Sequence, residues 1–160
     1  MNNITLETWG RSQWPVILQS LDANEVIDTV EIFARDYRVE DVALPQSGLG
    51  LLQMQDGAMG ERYYLGEIPV SVAQVQVLGN DGYLAQGATR IMNDNLALAR
   101  AIAIADAALS AKLEGHGAIL PLIEKGALVL AQQASSRRRM LAATVVDFSL
   151  LGSAEEDEDE

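Results

Sequence analysis

The chain has 160 residues, 49% of them apolar, and a formal net charge of −12 to which residues 155–160 contribute six negative charges. It has no cysteine, which excludes disulfides, a thiolate nucleophile, iron–sulfur ligation and cysteine-type zinc sites within the chain. The acidity argues against a nucleic-acid partner, because phosphate backbones need a basic face.

The opening residues 1–10 are polar and lack a basic start followed by an apolar run, so no secretory signal is read there. Residues 6–20 read as a first helix carrying Trp9, Trp14, Ile17 and Leu18, with Pro15 placed to kink or split it. Asp22 is an N-cap for a second helix, and Glu25 three positions on suggests a capping box. Val26, Ile27, Val30, Phe33, Ala34 and Tyr37 then follow at helical spacing.

From Arg38 the period shortens. Residues 39–44 read as a strand ended by Pro45, with Gln46-Ser47-Gly48 as turn chemistry. Further strands are expected at 49–55, 62–65, 68–78 and 83–88. The stretch Asp56-Gly57-Ala58-Met59-Gly60 separates the second from the third, and Gly79-Asn80-Asp81-Gly82 is a hairpin turn. Short loops between sequential strands favour antiparallel pairing over crossovers. Asn93-Asp94-Asn95 offers N-caps for a long Ala-rich helix that Gly115-His116-Gly117 stops. A last helix is predicted over 121–142 with Pro121 at a favourable first position. Residues 144–151, apolar and β-branched, are expected to add a final strand. The expected fold is α+β: an antiparallel sheet with N-terminal and C-terminal helices packed on it. No internal repeat or linker divides it, so residues 1–152 are read as one domain and 153–160 as an acidic, disordered tail.

The chemistry-bearing residues are sparse. His116 is the only histidine, no metal-binding spacing surrounds it, and it reads as a helix-end loop residue. No nucleophile elbow and no phosphate-binding glycine loop is present. Glu61 and Glu67 are the carboxylates that acid–base chemistry would use, and both read as solvated strand-edge residues. The loop 57–60 with Glu61-Arg62 reads as a turn, with anion contact as the alternative. Arg137, Arg138 and Arg139 are the one concentrated positive charge. A solvated helix face suited to the macrodipole, a subunit interface and a phosphate contact all remain open for them. No run nears the ~18 apolar residues of a membrane span, and the expected location is the cytoplasm.

Pro45-Gln46-Ser47-Gly48-Leu49, Gln53-Met54 and Gly60-Glu61-Arg62-Tyr63-Tyr64-Leu65-Gly66-Glu67 together resemble the PhnG family, small subunits of the bacterial carbon–phosphorus lyase system. Arg11-x-x-Trp14, Gly82-Tyr83, Ala105-Asp106-Ala107, Pro121-Leu122 and Ala142-Ala143-Thr144-Val145-Val146-Asp147-Phe148 extend the likeness over nearly the whole chain except the acidic tail. One departure is Pro69-Val70-Ser71-Val72-Ala73, where family members often carry an arginine and a cysteine.

The resemblance implies an accessory, non-catalytic subunit of the core complex. That complex turns MgATP and an alkylphosphonate into ribose 1-alkylphosphonate 5-triphosphate and adenine, before the carbon–phosphorus bond is cut. It implies the nucleosidase-like PhnI, PhnH and the radical-SAM PhnJ as partners. No cofactor is expected in this chain: MgATP, SAM and the iron–sulfur cluster belong to the partners. Gln46, Ser47, Glu61, Arg62, Tyr63, Tyr64, Glu67 and Phe148 are the residues expected at the partner interface, since they carry the family-like motifs. The alternative is a stand-alone anion-binding module, a homo-oligomer that uses Arg62 and the three arginines at 137–139. An independent hydrolase is a third reading, which the lone histidine and missing cysteine disfavour.

Overall fold

The structure, a computed structural model, describes residues 9–79 and 82–143. A 3-10 turn, Arg11–Gln13, leads into α1 (Trp14–Gln19), followed by α2 (Ala23–Ala34), β1 (Arg38–Gln55), β2 (Arg62–Leu78), β3 (Leu84–Ile91) and α3 (Leu96–Ala111). A second 3-10 turn, His116–Ala118, then precedes α4 (Leu120–Ala143). The strands form an antiparallel sheet in the order β1-β2-β3. The α+β class expected from the sequence is therefore the one observed.

Helix starts follow their caps. The Asp22 carboxylate accepts the amides of Asn24 and Glu25 at 3.0 and 3.2 Å, satisfying donors that the first turn leaves open. Glu25 makes no return bond of a capping box: its carboxylate instead accepts from Lys125 Nζ at both oxygens, 2.6 Å each, tying α2 to α4. Asn95 caps α3 through Leu98 N at 2.9 Å. That helix ends four residues before Gly115, the glycine expected to stop it. Lys112 takes the left-handed conformation, φ 52°, and Leu113 N bonds back to Ala108 O. Pro15 shortens the first helix: α1 begins only at Trp14, with the proline in its first turn, where no amide is needed.

The four strands expected over 39–78 are two long ones. β1 runs through Pro45, Gln46, Ser47 and Gly48, and β2 through Gly66 and Glu67. Pro45 is tolerated because β1 is an edge strand, where the missing amide breaks no inner ladder. Register shifts at Asp41/Ala43 and Ala43/Gln46 absorb the proline without ending the pairing. The final strand expected at 144–151 lies outside the described residues.

The core sits between the sheet and α3. Ala73, Val75 and Val77 of β2 and Ala85 and Ile91 of β3 alternate inward, opposite an outer face bearing Glu40, Gln74, Gln86 and Arg90. α3 is buried on most of its circumference because α2 and α1 cover the side that the sheet does not. Its alanines permit this. A Cβ on Gly87 of β3 would stand 2.0 Å from Ala103 O and 2.5 Å from Ala107 N, so strand and helix backbones touch there. A Cβ on Gly126 of α4 would stand 2.4 Å from Ile17 O, bringing α4 equally close to α1. Arg11 and Asp106 lock this layer: Nε and Nη2 each reach a carboxylate oxygen at 2.7 Å.

Candidate partner-binding surface

β3 ends at the pair Ser71↔Ile91, but β1 and β2 continue past it. Beyond it residues 48–55 and 62–70 remain paired with each other alone, forming a two-stranded arm about 25 Å long at ~3.3 Å per residue, with Gln46/Val72 and Ser47/Ser71 at its root, where β3 still pairs with β2. The tip is a defined turn. Asp56 accepts the amides of Ala58 and Met59 at 3.1 and 3.3 Å, Gly60 has φ 70°, and Gln55 Nε2 donates to Gly60 O at 3.1 Å.

Opposed residues share a face, and faces alternate along each strand. One face of the arm carries Ser47/Ser71, Leu49/Pro69 and Leu51/Glu67, then, past a bulge that skips Leu65, Gln53/Tyr64 and Gln55/Arg62. The other carries Gln46/Val72, Gly48/Val70, Gly50/Ile68, Leu52/Gly66 and Met54/Tyr63. Leu49, Leu51 and Tyr64 are 66%, 63% and 63% exposed, and Leu65, Tyr63 and Met59 are exposed as well. A sheet with one wet face shows apolar alternating with polar side chains. This ribbon is apolar on both faces, and two strands alone do not bury enough surface to cover either.

Seven of the eight residues expected at the partner interface lie on this arm or, for Gln46 and Ser47, at its root. Ser47, Arg62, Tyr64 and Glu67 fall on one face, Gln46 and Tyr63 on the other, and Glu61 between β2 and the tip turn. Phe148 lies outside the described residues. Glu61 and Glu67 stand six residues apart along the chain, about 20 Å in an extended strand, which separates them too far for paired acid–base work. Leu49, Leu51, Leu65 and Met54 were absent from the expected set. Their spacing reads as an ordinary half-buried strand, and only the end of β3 reveals that no core faces them.

The remaining candidates have structural partners. His116 Nδ1 lies 2.7 Å from Leu113 O, bracing the turn after α3. No group of three His, Cys, Asp or Glu among the described residues could hold a metal ion. An open depression between the ends of α2 and α3 is lined by Asp36, Tyr37, Tyr83, Lys112 and Glu114, with Tyr37 Oη donating to Glu114 O at 2.8 Å. The Arg11 guanidinium titrates above its ordinary value, chiefly through its hydrogen bond to Asp106, with burial acting the other way and the charge of Asp106 adding to the rise. Arg137, Arg138 and Arg139 are exposed on the half of α4 that extends past its buried residues Leu122, Ile123, Gly126 and Ala127. The last described turn of α4 holds no basic residue, so these arginines do not sit where the helix dipole acts most strongly.

A family model described as phosphonate metabolism protein PhnG matches residues 10–152. The chain belongs to the PhnG family. It is a protein of phosphonate metabolism. The matched span takes in Arg11, the whole arm and all of α4, and leaves out the acidic run 155–160. No curated protein matches the sequence. None of the described helices of this PhnG chain is long and apolar enough to cross a membrane.

Proposed function

We propose that this PhnG chain is an accessory, non-catalytic subunit of the cytoplasmic carbon–phosphorus lyase core complex, and that the β1–β2 arm is the element that docks on its partners. The complex joins an alkylphosphonate oxygen to ribose C1 of MgATP as the glycosidic bond to adenine breaks. The products are ribose 1-alkylphosphonate 5-triphosphate and adenine. The nucleosidase-like PhnI, PhnH and the radical-SAM PhnJ are the partners. Nucleotide, SAM and the iron–sulfur cluster are theirs to bind.

The arm carries this reading. Leu49, Leu51, Leu65 and Tyr64 stand in water on a ribbon too thin to cover them, and contiguous exposed apolar surface of this kind marks a protein–protein contact. Gln46, Ser47, Glu61, Arg62, Tyr63 and Glu67 supply the polar positions around it, in the pattern of an apolar centre with a polar rim. Phe148 is taken as a further contact on the strength of its motif alone.

Tagged expression with the neighbouring subunits tests the reading. The expected result is stoichiometric recovery of the larger chains, with phosphonate-dependent release of adenine from MgATP by the complex and none by this chain alone. Recovery of this chain by itself, as a homo-oligomer that binds phosphate esters, would overturn it in favour of an anion-binding module.

A further inference from the structure

An open sheet edge is a row of unpaired amides and carbonyls, and folded proteins block such rows with charge, proline or cover. Two edges of this sheet are blocked. Arg11 and Asp106 occupy part of the outer side of β3, where the Ala88 amide donates to Asp106 at 3.1 Å. β2 is open only beyond the end of β3, and Arg62, Glu67 and Pro69 lie on that stretch. The outer side of β1 has no such guard over its distal half. Residues 46–55 contain no charged residue and no proline, in a chain of net charge −12. All ten are exposed or half-buried, and β2 is the only described strand that pairs with β1.

The register fixes which groups this edge offers. Pro69 stands opposite Leu49 and has no amide to donate, so the backbone groups of that pair point away from each other. The Ala88 amide bonds Asp106 and not Gln74 opposite it, which gives the same phase from the far side of β2. Bonded and non-bonded pairs alternate. Ser47, Leu49 and Leu51 therefore turn their amides and carbonyls outward, while Gly48 and Gly50 bond to β2. A second copy of the segment, antiparallel about a two-fold axis at Gly50, complements this row. Leu49 then faces Leu51 of the second copy, and Leu51 faces its Leu49. Ser47 faces Gln53, and Gly50 faces Gly50 with no side chain to hold the strands apart. No charge within 46–55 opposes a like charge, and Pro45, which has no amide, ends the ladder.

We propose that the outer edge of β1 is a self-pairing surface through which two copies of this chain join across a two-fold axis at Gly50. Two thin arms become one four-stranded sheet in the order β2-β1-β1-β2, which reaches the width at which a sheet stabilises itself. Four exposed leucines, two from each copy, gather on one of its faces. The same edge is used by both copies, so the interface is closed and association stops at a dimer. The pairing does not rest on the subunit reading. It consumes the edge alone and leaves both faces of each arm open to larger subunits.

The chain has no cysteine, so a single introduced thiol can form a disulfide only with a second copy. A Cβ at Gly50 would meet nothing nearer than Val70 Cγ2 at 3.4 Å, and a Cβ at Gly48 nothing within 4 Å, so Gly50→Cys and Gly48→Cys both fit the fold. Across the axis the two Gly50 Cα atoms stand about 4.5 Å apart, within disulfide reach. The two Gly48 positions are offset by four residues, about 13 Å, and lie beyond it. Native mass of the full chain is measured over a range of concentration and salt, and disulfide formation in the two variants under mild oxidation. The expected result is a monomer–dimer equilibrium that strengthens with salt, because copies of like net charge repel less when screened. Gly50→Cys is expected to crosslink at least about tenfold faster than Gly48→Cys. L49K/L51K is expected to be monomeric with an unchanged thermal midpoint, since lysines on an edge oppose pairing. A monomer at every concentration would overturn the proposal, as would equal crosslinking at the two positions or a dimer that survives L49K/L51K. So would association that weakens as salt rises, which would assign the contact to Arg137, Arg138 and Arg139 against carboxylates of a second copy.

Discussion

The Asp106 carboxylate accepts two bonds from Arg11 at 2.7 Å and a third from the Ala88 amide at 3.1 Å. Ninety-five positions separate the two side chains. Ala88 belongs to β3, the edge strand opposite β1, so a side chain of α3 satisfies an amide that the ladder leaves open. Arg11 Nη2 adds a long contact, 3.4 Å, to Gln86 O on the same strand. One pair thus joins the N-terminal turn, the central helix and the sheet edge, and covers part of an edge that would otherwise recruit strands.

Removing Arg11 is expected to cost more than an exposed ion pair would. The Asp106 side chain is only 7% exposed, so Arg11→Ala strands a buried carboxylate with one amide donor. The expected loss is about 2–3 kcal/mol. Asp106→Asn retains an acceptor for Ala88 N and is expected to cost less, about 1–2 kcal/mol. Urea unfolding of both variants and their double mutant measures the coupling; additive losses would show that the pair contributes nothing as a pair.

The pH dependence of this pair follows from the arginine. Its pKa in the fold is raised above the ordinary arginine value, chiefly by the hydrogen bond to Asp106. A group raised on folding contributes stability fully below its unfolded pKa and loses it only as pH rises through the folded value. Both lie above the working range. The coupling between Arg11 and Asp106 is therefore expected to be equal at about pH 6 and about pH 9. A coupling that falls toward pH 9 would contradict the assignment of the guanidinium as the group responsible.

Gly87 and Gly48 make a matched comparison within one sheet. A Cβ at Gly87 would collide with the Ala103 carbonyl at 2.0 Å, whereas nothing lies within 4 Å of a Cβ at Gly48. Gly87→Ala must push β3 off α3 and is expected to cost about 3 kcal/mol, breaking the Ala88–Asp106 bond as it does so. Gly48→Ala is expected to stay within about 0.5 kcal/mol of the parent. Equal thermal melting of the two variants would refute the close approach of strand and helix.

Local chemistry was legible where a residue acts on its sequence neighbours. Asp22 and Asn95 announce their helices because a cap reaches amides two or three residues ahead. The order of helices, antiparallel strands and helices was readable for the same reason, as was the likeness at residues 45–67. Pro45 misled: it reads as a stop, but whether it stops a strand depends on which edge of the sheet it occupies. That edge is set by β2, thirty residues away in the pairing. Glu25 misled in the same way, since Lys125 takes the carboxylate that its own helix start would use. Arg11 and Asp106 were visible only as pieces of motifs, because nothing local predicts a contact across ninety-five residues. Leu49 and Leu51 have the alternation of a core strand. Their exposure follows from β3 being short, a property of another segment.

That exposure sets the most informative prediction on function. In the isolated chain Leu49 and Leu51 bury little, so replacing both with serine is expected to leave the thermal midpoint nearly unchanged and to reduce self-association and dye binding. In an assembly the two side chains would lose their exposed apolar area, contributing about 1–1.5 kcal/mol each. Their joint replacement is then expected to weaken partner binding by about a hundredfold. The two readouts divide the explanations. Unchanged folding with lost co-purification of the larger subunits identifies the arm as the docking element. Lost folding in the isolated chain would mean that the arm packs on its own body. Unchanged folding with full recovery of the complex would leave this face of the arm solvent-exposed in the assembly and move the interface to the opposite face, where Met54, Tyr63 and Val72 stand. Met54→Ser with Tyr63→Ser, measured in the same way, then decides whether the arm docks through either face.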